Sequence, residues 1–213
     1  MMIVSHKPYA LLLKSSDLQK AADELAVPLA CIQAIHAVES HGRGFLRDGR
    51  PVILFERHIM YRQLKAKGSD VTTLALRYSN IVNLQRGGYM GGAAEHQRLH
   101  IAKTLDTGCA IASTSWGCFQ IMGWHWQRLG YASAQAFSDA MYQSEAHQLD
   151  AFVQFVKTDA TLYRALKNQS WAEFARGYNG AAYKENQYDV KLEQAYQRYE
   201  KRRVLINPIP LNA

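Results

Sequence analysis

Glu39 is the residue whose type and position most directly indicate chemistry. It ends an apolar run with helical spacing, residues 28–39, and a glycine-punctuated break follows at once. Burial disfavours a charged carboxylate, so we expect Glu39 to have a raised pKa. Such a carboxyl group can donate a proton near neutral pH, as a general acid must. The alternative is a solvated helix-end glutamate that caps a loop amide.

Glu56 is the best candidate for a second carboxylate. It closes residues 51–56, a short segment rich in β-forming residues, and a turn after the Glu39 helix would bring it back toward Glu39. The alternative is an ion pair with Arg57 or Arg50. Asp48 is a weaker candidate, because an aspartate directly before a glycine is typical of a turn.

Two further segments place polar side chains in apolar surroundings. Gln120 lies between Phe119 and Ile121, and a buried amide needs hydrogen-bond partners. Tyr178 and Asn179 end a helical pattern beside a glycine. Each segment also has a structural interpretation: an internal hydrogen-bond clamp for Gln120, and an ordinary helix C-terminus for Asn179.

The elements that must position these residues are mainly helices. The one strand candidate is residues 51–56, and residues 69–92 are predicted to be irregular because of their glycines. We expect Ser16 to cap the first helix. The spacing predicts helices over residues 16–26, 28–39, 57–67, 93–105, 143–157, 160–167, 171–178 and 186–202. The predicted fold class is therefore mainly α (α+β), with a small β element after the Glu39 helix.

Size and composition limit the other possibilities. With 213 residues, 48% of them hydrophobic, the chain suits one domain over residues 1–213 without a separate binding module. No apolar run approaches the roughly 20 residues of a membrane span, so we expect no stable membrane insertion. The apolar patch near the N-terminus is shorter than the roughly 7–15 residues of a signal-peptide core. We expect the three cysteines to be buried, reduced thiols.

The charge and the histidines are less specific signals. The net charge of +7 favours polyanionic partners without choosing among them. Nucleic-acid binding is suggested by charge alone, since zinc-finger spacing, RRM-type aromatics and a P-loop are all missing from the sequence. His36 lies three residues before Glu39, and His96 lies four before His100. Neither pair has a matching second ligand pair, so we expect no metal site and no cofactor.

In this order, the segments resemble the lysozyme-like superfamily of peptidoglycan-cleaving enzymes. In that superfamily a catalytic glutamate closes a helix, and a β-region, a Ser-x-Gly-x-x-Gln-Ile segment and a Tyr-Asn-Gly segment follow. The closer resemblance is to the N-acetylmuramidase family of phage endolysins, over about residues 16–200. The segments that carry it are Val38-Glu39-Ser40 with Gly42 and Gly44-Phe45, then Asp48 to His58, then Trp116-Gly117-Cys118-Phe119-Gln120-Ile121-Met122-Gly123.

The resemblance implies cleavage of the β-1,4 bond between N-acetylmuramic acid and N-acetylglucosamine. Glu39 is the candidate acid and Glu56 the candidate second carboxylate. Superfamily members with a single essential glutamate also exist, and in that case Glu56 would only position a water or a sugar. Ser113 and Ser115 are candidates to hold a water or an N-acetyl group, and Gln120, Tyr178 and Asn179 are candidates to line the sugar subsites. Trp116 is either a stacking wall or a core residue. The expected partner is bacterial peptidoglycan, and we expect a monomer. It would accumulate in the host cytoplasm and reach the wall through holin-made holes, without a signal peptide.

Three rival interpretations remain open at this stage. A lytic transglycosylase uses the same glutamate on the same fold, but there the substrate's own hydroxyl attacks. Chitin is an alternative substrate. A non-catalytic cell-wall binding module is a different class, and the presence of both Glu39 and Glu56 argues against it.

Overall fold

A computed structural model describes residues 11–39 and 43–206, which form eleven α-helices and three short β-strands. The elements in chain order are α1 (Ser15–Leu25), α2 (Leu29–Glu39), β1 (Ile53–Phe55), α3 (Arg57–Ala66), α4 (Val71–Arg77), α5 (Ala93–Leu105), α6 (Thr107–Ala112), β2 (Thr114–Trp116), β3 (Ile121–Met122), α7 (Ala134–Gln143), α8 (Glu145–Lys157), α9 (Ala160–Lys167), α10 (Trp171–Asn179) and α11 (Tyr188–Ile206). Short 3₁₀ turns at Gly123–His125 and Ala181–Lys184 follow β3 and α10.

The chain divides into two compact units. Among the described residues, the sheet unit comprises 11–12 and 43–155, and the helical unit comprises 13–39 and 156–206. The boundary falls within α8. Each unit has its own fully buried side chains. Phe55, Trp116 and Phe137 are examples in the sheet unit, and Ile35 and Phe174 are examples in the helical unit.

The strands form one antiparallel sheet in the order β1-β2-β3. Leu54 pairs with Ser115, and Ser115 pairs with Met122. The sheet ends where Glu56 begins the turn into α3, and the backbone N–H of Glu56 still donates to the carbonyl of Ser113 at 2.8 Å. This bond fixes the backbone of Glu56 at the end of β1.

Helix α2 is the centre of the helical unit. It is apolar on nearly all sides, as expected for a buried helix, and it packs against α1 and α11. Cys31 lies on α2, and burial raises the pKa of its thiol to about 12. Cys109 and Cys118 are also buried free thiols, so the predicted environment of all three cysteines is confirmed.

The sequence predicted most of the helices and the first strand, but strands β2 and β3 were missed. Helices were expected over residues 93–105 and 160–167 and are found there. Three helices were missed: α4 within the segment expected to be irregular, and α6 and α7, which have six and ten residues. The expected cap at Ser16 is wrong. The helix begins at Ser15, and the side chain of Asp17 accepts the N–H of Lys14 at 2.8 Å.

In the part of the chain that the structure describes, no single helix is both long and apolar enough to cross a membrane. Helices α1 and α2 meet the length and composition criteria only when they are counted together, and they are bent by 117° at the break between them.

Candidate active site

Glu39 is the last residue of α2, and its side chain is buried. Only 8% of the residue is exposed, so it differs from the solvated helix-end glutamate of the alternative interpretation. Its Oε1 accepts a hydrogen bond of 3.0 Å from Nδ2 of Asn179, which closes α10. The two residues were singled out separately from the sequence, and the helical unit brings their side chains into contact.

The end of α10 sets the surroundings of Glu39. The ring of Tyr178 stacks on Phe174 with centroids 5.7 Å apart, and Gly180 takes a φ of +79° as the chain leaves the helix. Tyr188, at the start of α11, is a further neighbour. Burial raises the pKa of its phenol, and the negative charge of Glu39 raises it further. Tyr188 therefore lies within electrostatic reach of Glu39.

Glu56 lies in the sheet unit, between β1 and α3. Its carboxylate accepts a 2.8 Å hydrogen bond from the hydroxyl of Tyr89, and its side chain is 18% exposed. Nδ1 of His58 lies 3.1 Å from the same oxygen, Oε2, although the pair does not satisfy hydrogen-bond geometry. Burial lowers the pKa of His58, and the nearby Arg86 and Arg62 lower it further against the opposing effect of Glu56. His58 is thus neutral near pH 7.

The arginines proposed as ion-pair partners of Glu56 are bound elsewhere. Arg57 donates to the carbonyl oxygens of Ser79, Gln85 and Arg86. Arg50 forms a salt bridge of 2.6 Å with Asp48. Asp48 also accepts the N–H of Arg50 in a turn where Gly49 has a φ of +82°, which agrees with its interpretation as a turn residue.

The segment that carries Tyr89, residues 78–92, is anchored at several points. We call it the Tyr89 loop. Besides the three bonds from Arg57, Arg98 donates to the carbonyl of Asn80 at 2.7 Å. Glu95 accepts the N–H groups of Met90 and Gly91 at 2.6 and 3.1 Å. Because these bonds all involve the loop backbone, they hold its path without help from Tyr89.

Glu95 and Arg98 form a buried ion pair that also reaches the sheet. Their side chains are 0% and 2% exposed, and Arg98 Nη1 lies 2.8 Å from Glu95 Oε2. Glu95 accepts the N–H of Phe55, and Arg98 donates to the Phe55 carbonyl. Burial alone would raise the pKa of Glu95, but backbone N–H donors and Arg98 outweigh it and lower the pKa.

Gln120 forms the hydrogen-bond clamp that the sequence left open. Its Oε1 accepts from Ser115 Oγ at 2.7 Å, and its Nε2 donates to the Gly117 carbonyl at 2.8 Å. The residue is nevertheless exposed and has a left-handed φ of +48°. Ser113 differs, because it is 0% exposed and its hydroxyl lies 3.9 Å from Met60 Sδ.

Gly117 lies against a buried glutamine that the sequence reading missed. The side chain of Gln148 accepts the N–H of Cys118 at 2.8 Å and donates to the carbonyls of Gly44 and Met141. A Cβ on Gly117 would lie 2.4 Å from Gln148 Cδ, and one on Gly44 would lie 2.1 Å from Gln148 Oε1. These two glycines therefore make room for the Gln148 amide.

Trp116 is a core residue. It is 0% exposed, its Nε1 donates to the Ile111 carbonyl at 3.3 Å, and its ring meets those of Phe137 and Tyr142. Of its two interpretations, the stacking wall is excluded by this burial.

Metal ligation has little support within the described residues. They contain no group of three or more His, Cys, Asp or Glu side chains arranged to hold an ion. His96, one of the paired histidines, is buried and its Nε2 lies 2.8 Å from the Pro51 carbonyl.

A family model described as muramidase, N-acetylmuramidase, matches residues 28–200. The chain belongs to the N-acetylmuramidase family. The solved crystal structure of the Burkholderia AP3 phage endolysin is similar to this muramidase, with a TM-score of 0.87 and 54% sequence identity. The match covers 93% of the muramidase and 75% of the endolysin chain. A comparison with curated proteins found no match.

These findings confirm the predicted family and the predicted mainly helical, lysozyme-like fold of the muramidase. Sequence reasoning missed Tyr89 and Tyr188 beside the two carboxylates. A signal for Tyr89 was available, because it lies between two glycine pairs, Gly87-Gly88 and Gly91-Gly92. No comparable signal marks Tyr188.

Proposed function

We propose that this protein is an endolysin that hydrolyses peptidoglycan at the β-1,4 bond between N-acetylmuramic acid and N-acetylglucosamine. Membership of the N-acetylmuramidase family supports the substrate, as does the likeness to a phage endolysin. The observation that carries the proposal is the buried Glu39 at the end of α2, in contact with Asn179.

Glu39 acts as the general acid in this proposal. It gives its proton to the glycosidic oxygen as the bond to the sugar's anomeric carbon breaks. Asn179 donates to Oε1 at 3.0 Å, which restrains the orientation of the carboxyl group. Burial of Glu39 favours the protonated form that the step requires.

Glu56 is our candidate for the second carboxylate. It acts either as the base that takes a proton from the attacking water or as the nucleophile. Two observations support this role. The side chain is 18% exposed, so a water can reach it, and Arg50 and Arg57, the expected ion-pair partners, are bound to other groups.

The sugar-binding set that we propose comprises Gln120, Ser115, Tyr178 and Asn179. Gln120 is exposed, and Ser115 orients its amide through the 2.7 Å hydrogen bond. The buried Ser113 cannot contact a sugar from its position against Met60, so we leave it out of this set.

We further propose that the enzyme acts as a monomer and reaches the wall from the host cytoplasm through holin-made holes. The net charge of +7 draws it to an anionic wall. Lysis should therefore slow as ionic strength rises, because salt screens exposed charges beyond about 10 Å at 0.1 M.

The test is mass spectrometry of purified peptidoglycan after digestion. A hydrolase releases muramic acid with a reducing end, whereas a lytic transglycosylase releases 1,6-anhydro-muramic acid. We expect reducing ends from the wild type and about 10²-fold to 10⁴-fold less product from Glu39→Gln. Glu173→Gln, at an exposed position on α10, is the matched control and should digest like the wild type.

Each other outcome overturns part of the proposal. Products that end in 1,6-anhydro-muramic acid would show that the enzyme is a lytic transglycosylase that uses the same acid. Full activity of Glu39→Gln would remove Glu39 from the reaction. Release of reducing ends from chitin but not from peptidoglycan would contradict the proposed substrate.

A further inference from the structure

Tyr89 is an aromatic residue whose placement neither burial nor loop anchoring explains. It lies at the centre of a Gly87-Gly88-Tyr89-Met90-Gly91-Gly92 segment, and all four glycines have a positive φ. Tyr89 is 46% exposed and Met90 59% exposed, so neither contributes much apolar burial to the fold. The glycine pairs instead present Tyr89 at a defined point of the loop.

At that point the Tyr89 hydroxyl contacts Glu56. It donates to Oε2 at 2.8 Å, across 33 residues of chain. His58 Nδ1 is 3.1 Å from the same oxygen. Within residues 11–39 and 43–206, both polar contacts of the Glu56 carboxylate are made by Oε2. This one-sided contact orients the carboxylate and keeps Oε1 for a water or a sugar.

The path of the Tyr89 loop does not depend on this hydrogen bond, because other side chains hold the loop backbone. Arg57, Arg98 and Glu95 together make six bonds to the loop's backbone. Loss of the Tyr89 hydroxyl leaves all six in place. Burial and the bond to Glu56 raise the pKa of Tyr89, so the phenol stays protonated and remains a donor.

We propose that Tyr89 is a positioning residue of the muramidase, whose hydroxyl holds the Glu56 carboxylate in its reactive orientation. The inference rests on the proposed role of Glu56, which is the second carboxylate of the proposed function. It adds a residue that acts through Glu56 and is separate from Glu39 and its partner Asn179.

The test is a double-mutant cycle on purified peptidoglycan with Tyr89→Phe, Glu56→Gln and the double variant. Tyr89→Phe keeps the ring and removes the donor. We expect kcat to fall about tenfold, with KM and the thermal unfolding midpoint unchanged, since the interaction serves the reacting state. In the Glu56→Gln background, Tyr89→Phe should cause no further loss, because both changes remove one interaction. Tyr61→Phe, on α3, is the matched control and should behave like the wild type.

Three outcomes would overturn the inference. The first is an equal loss from Tyr89→Phe in both backgrounds. The second is a fall in the unfolding midpoint that accounts for the loss, which would make the bond structural. The third is full activity of Glu56→Gln while Glu39→Gln is inactive, which would leave the proposed function standing without Tyr89. Full activity of both glutamine variants would instead contradict the proposed function.

Discussion

The two carboxylates lie in regions of different construction. Glu39 ends a buried helix, and its contact with Asn179 joins the ends of two helices in the helical unit. Glu56 follows a three-residue strand in the sheet unit and contacts Tyr89, on a loop that is held by side chains from two other elements. The first region depends on helix packing, and the second depends on a polar network.

This difference has a consequence for robustness. Apolar packing around α2 is non-directional and tolerates changes of similar volume. The network beneath the Tyr89 loop needs each donor and acceptor, since a buried group left without a partner is costly. Substitutions in the buried network beneath the Tyr89 loop should therefore lower stability, whereas substitutions at the Glu39–Asn179 contact should lower activity.

The largest expected effect is on the buried ion pair of the sheet unit. Arg98→Met leaves Glu95 charged and buried, so we expect a loss of about 3–5 kcal/mol in the free energy of unfolding. Urea denaturation measures it, with the exposed Arg77→Met as control. A loss no larger than that of the control would show that the polar network is dispensable and would break the comparison.

Gly117→Ala tests the space around Gln148. The new Cβ would lie 2.4 Å from Gln148 Cδ, and the alanine would have to adopt a left-handed φ of +71°. We expect the free energy of unfolding to fall by about 1 kcal/mol because of the backbone strain and by about 1–3 kcal/mol more because of overpacking. Gly49→Ala is a close control, because its φ is +82° and no heavy atom lies within 4 Å of the added Cβ. Equal unfolding free energies for the two variants would contradict a role for Gln148.

His125 should make the sheet unit sensitive to acid. Burial lowers its pKa from 6.5 to about 4, and Arg128 contributes. Between these values the unfolded chain binds a proton that the folded chain does not, so stability falls as pH drops from about 6.5 toward about 4. In His125→Gln this loss should be smaller by about 2 kcal/mol, measured by urea denaturation at pH 7 and pH 4.5. An equal loss of unfolding free energy in the wild type and in His125→Gln would show that His125 does not contribute to the pH dependence.

The smallest expected effect lies at the helix ends. Asn179→Ala removes the donor to Glu39, and we expect kcat/KM to fall about tenfold, or about 1.4 kcal/mol, with little change in stability. Asn186→Ala, at an exposed position before α11, is the control. If Asn179→Ala destabilises the protein without a separate loss of activity, its bond to Glu39 is part of the packing.

The same contrast explains what the sequence could predict. Glu39 and Asn179 each end a helix whose period is visible in neighbouring residues, and the family resemblance carried both. The fold class and most helix positions followed from the same local patterns. Helices α4 and α6, with seven and six residues, were missed because such short helices depend on tertiary packing more than on their own periodicity.

The network around Glu56 could not be read in this way. The bond from Tyr89 spans 33 residues and that from Cys118 to Gln148 spans 30, so neither leaves a local pattern. Glu95 and Arg98 look like an exposed helix pair in the sequence, and only the fold buries them. Ser113 shows the opposite error, because the sequence made it a candidate site residue and the structure buries it in the core.

The division of labour between Glu39 and Glu56 is tested most directly with a substrate whose leaving group needs no proton. The measurement compares hydrolysis of peptidoglycan with that of an aryl β-glycoside of the N-acetylglucosamine–N-acetylmuramic acid disaccharide, in which an activated phenol is the leaving group on N-acetylmuramic acid. If Glu39 is the general acid, Glu39→Gln should lose about 10²-fold to 10⁴-fold on peptidoglycan and much less on the aryl glycoside. Glu56→Gln should lose similarly on both substrates. An equal loss of Glu39→Gln on both substrates would contradict its assignment as the acid.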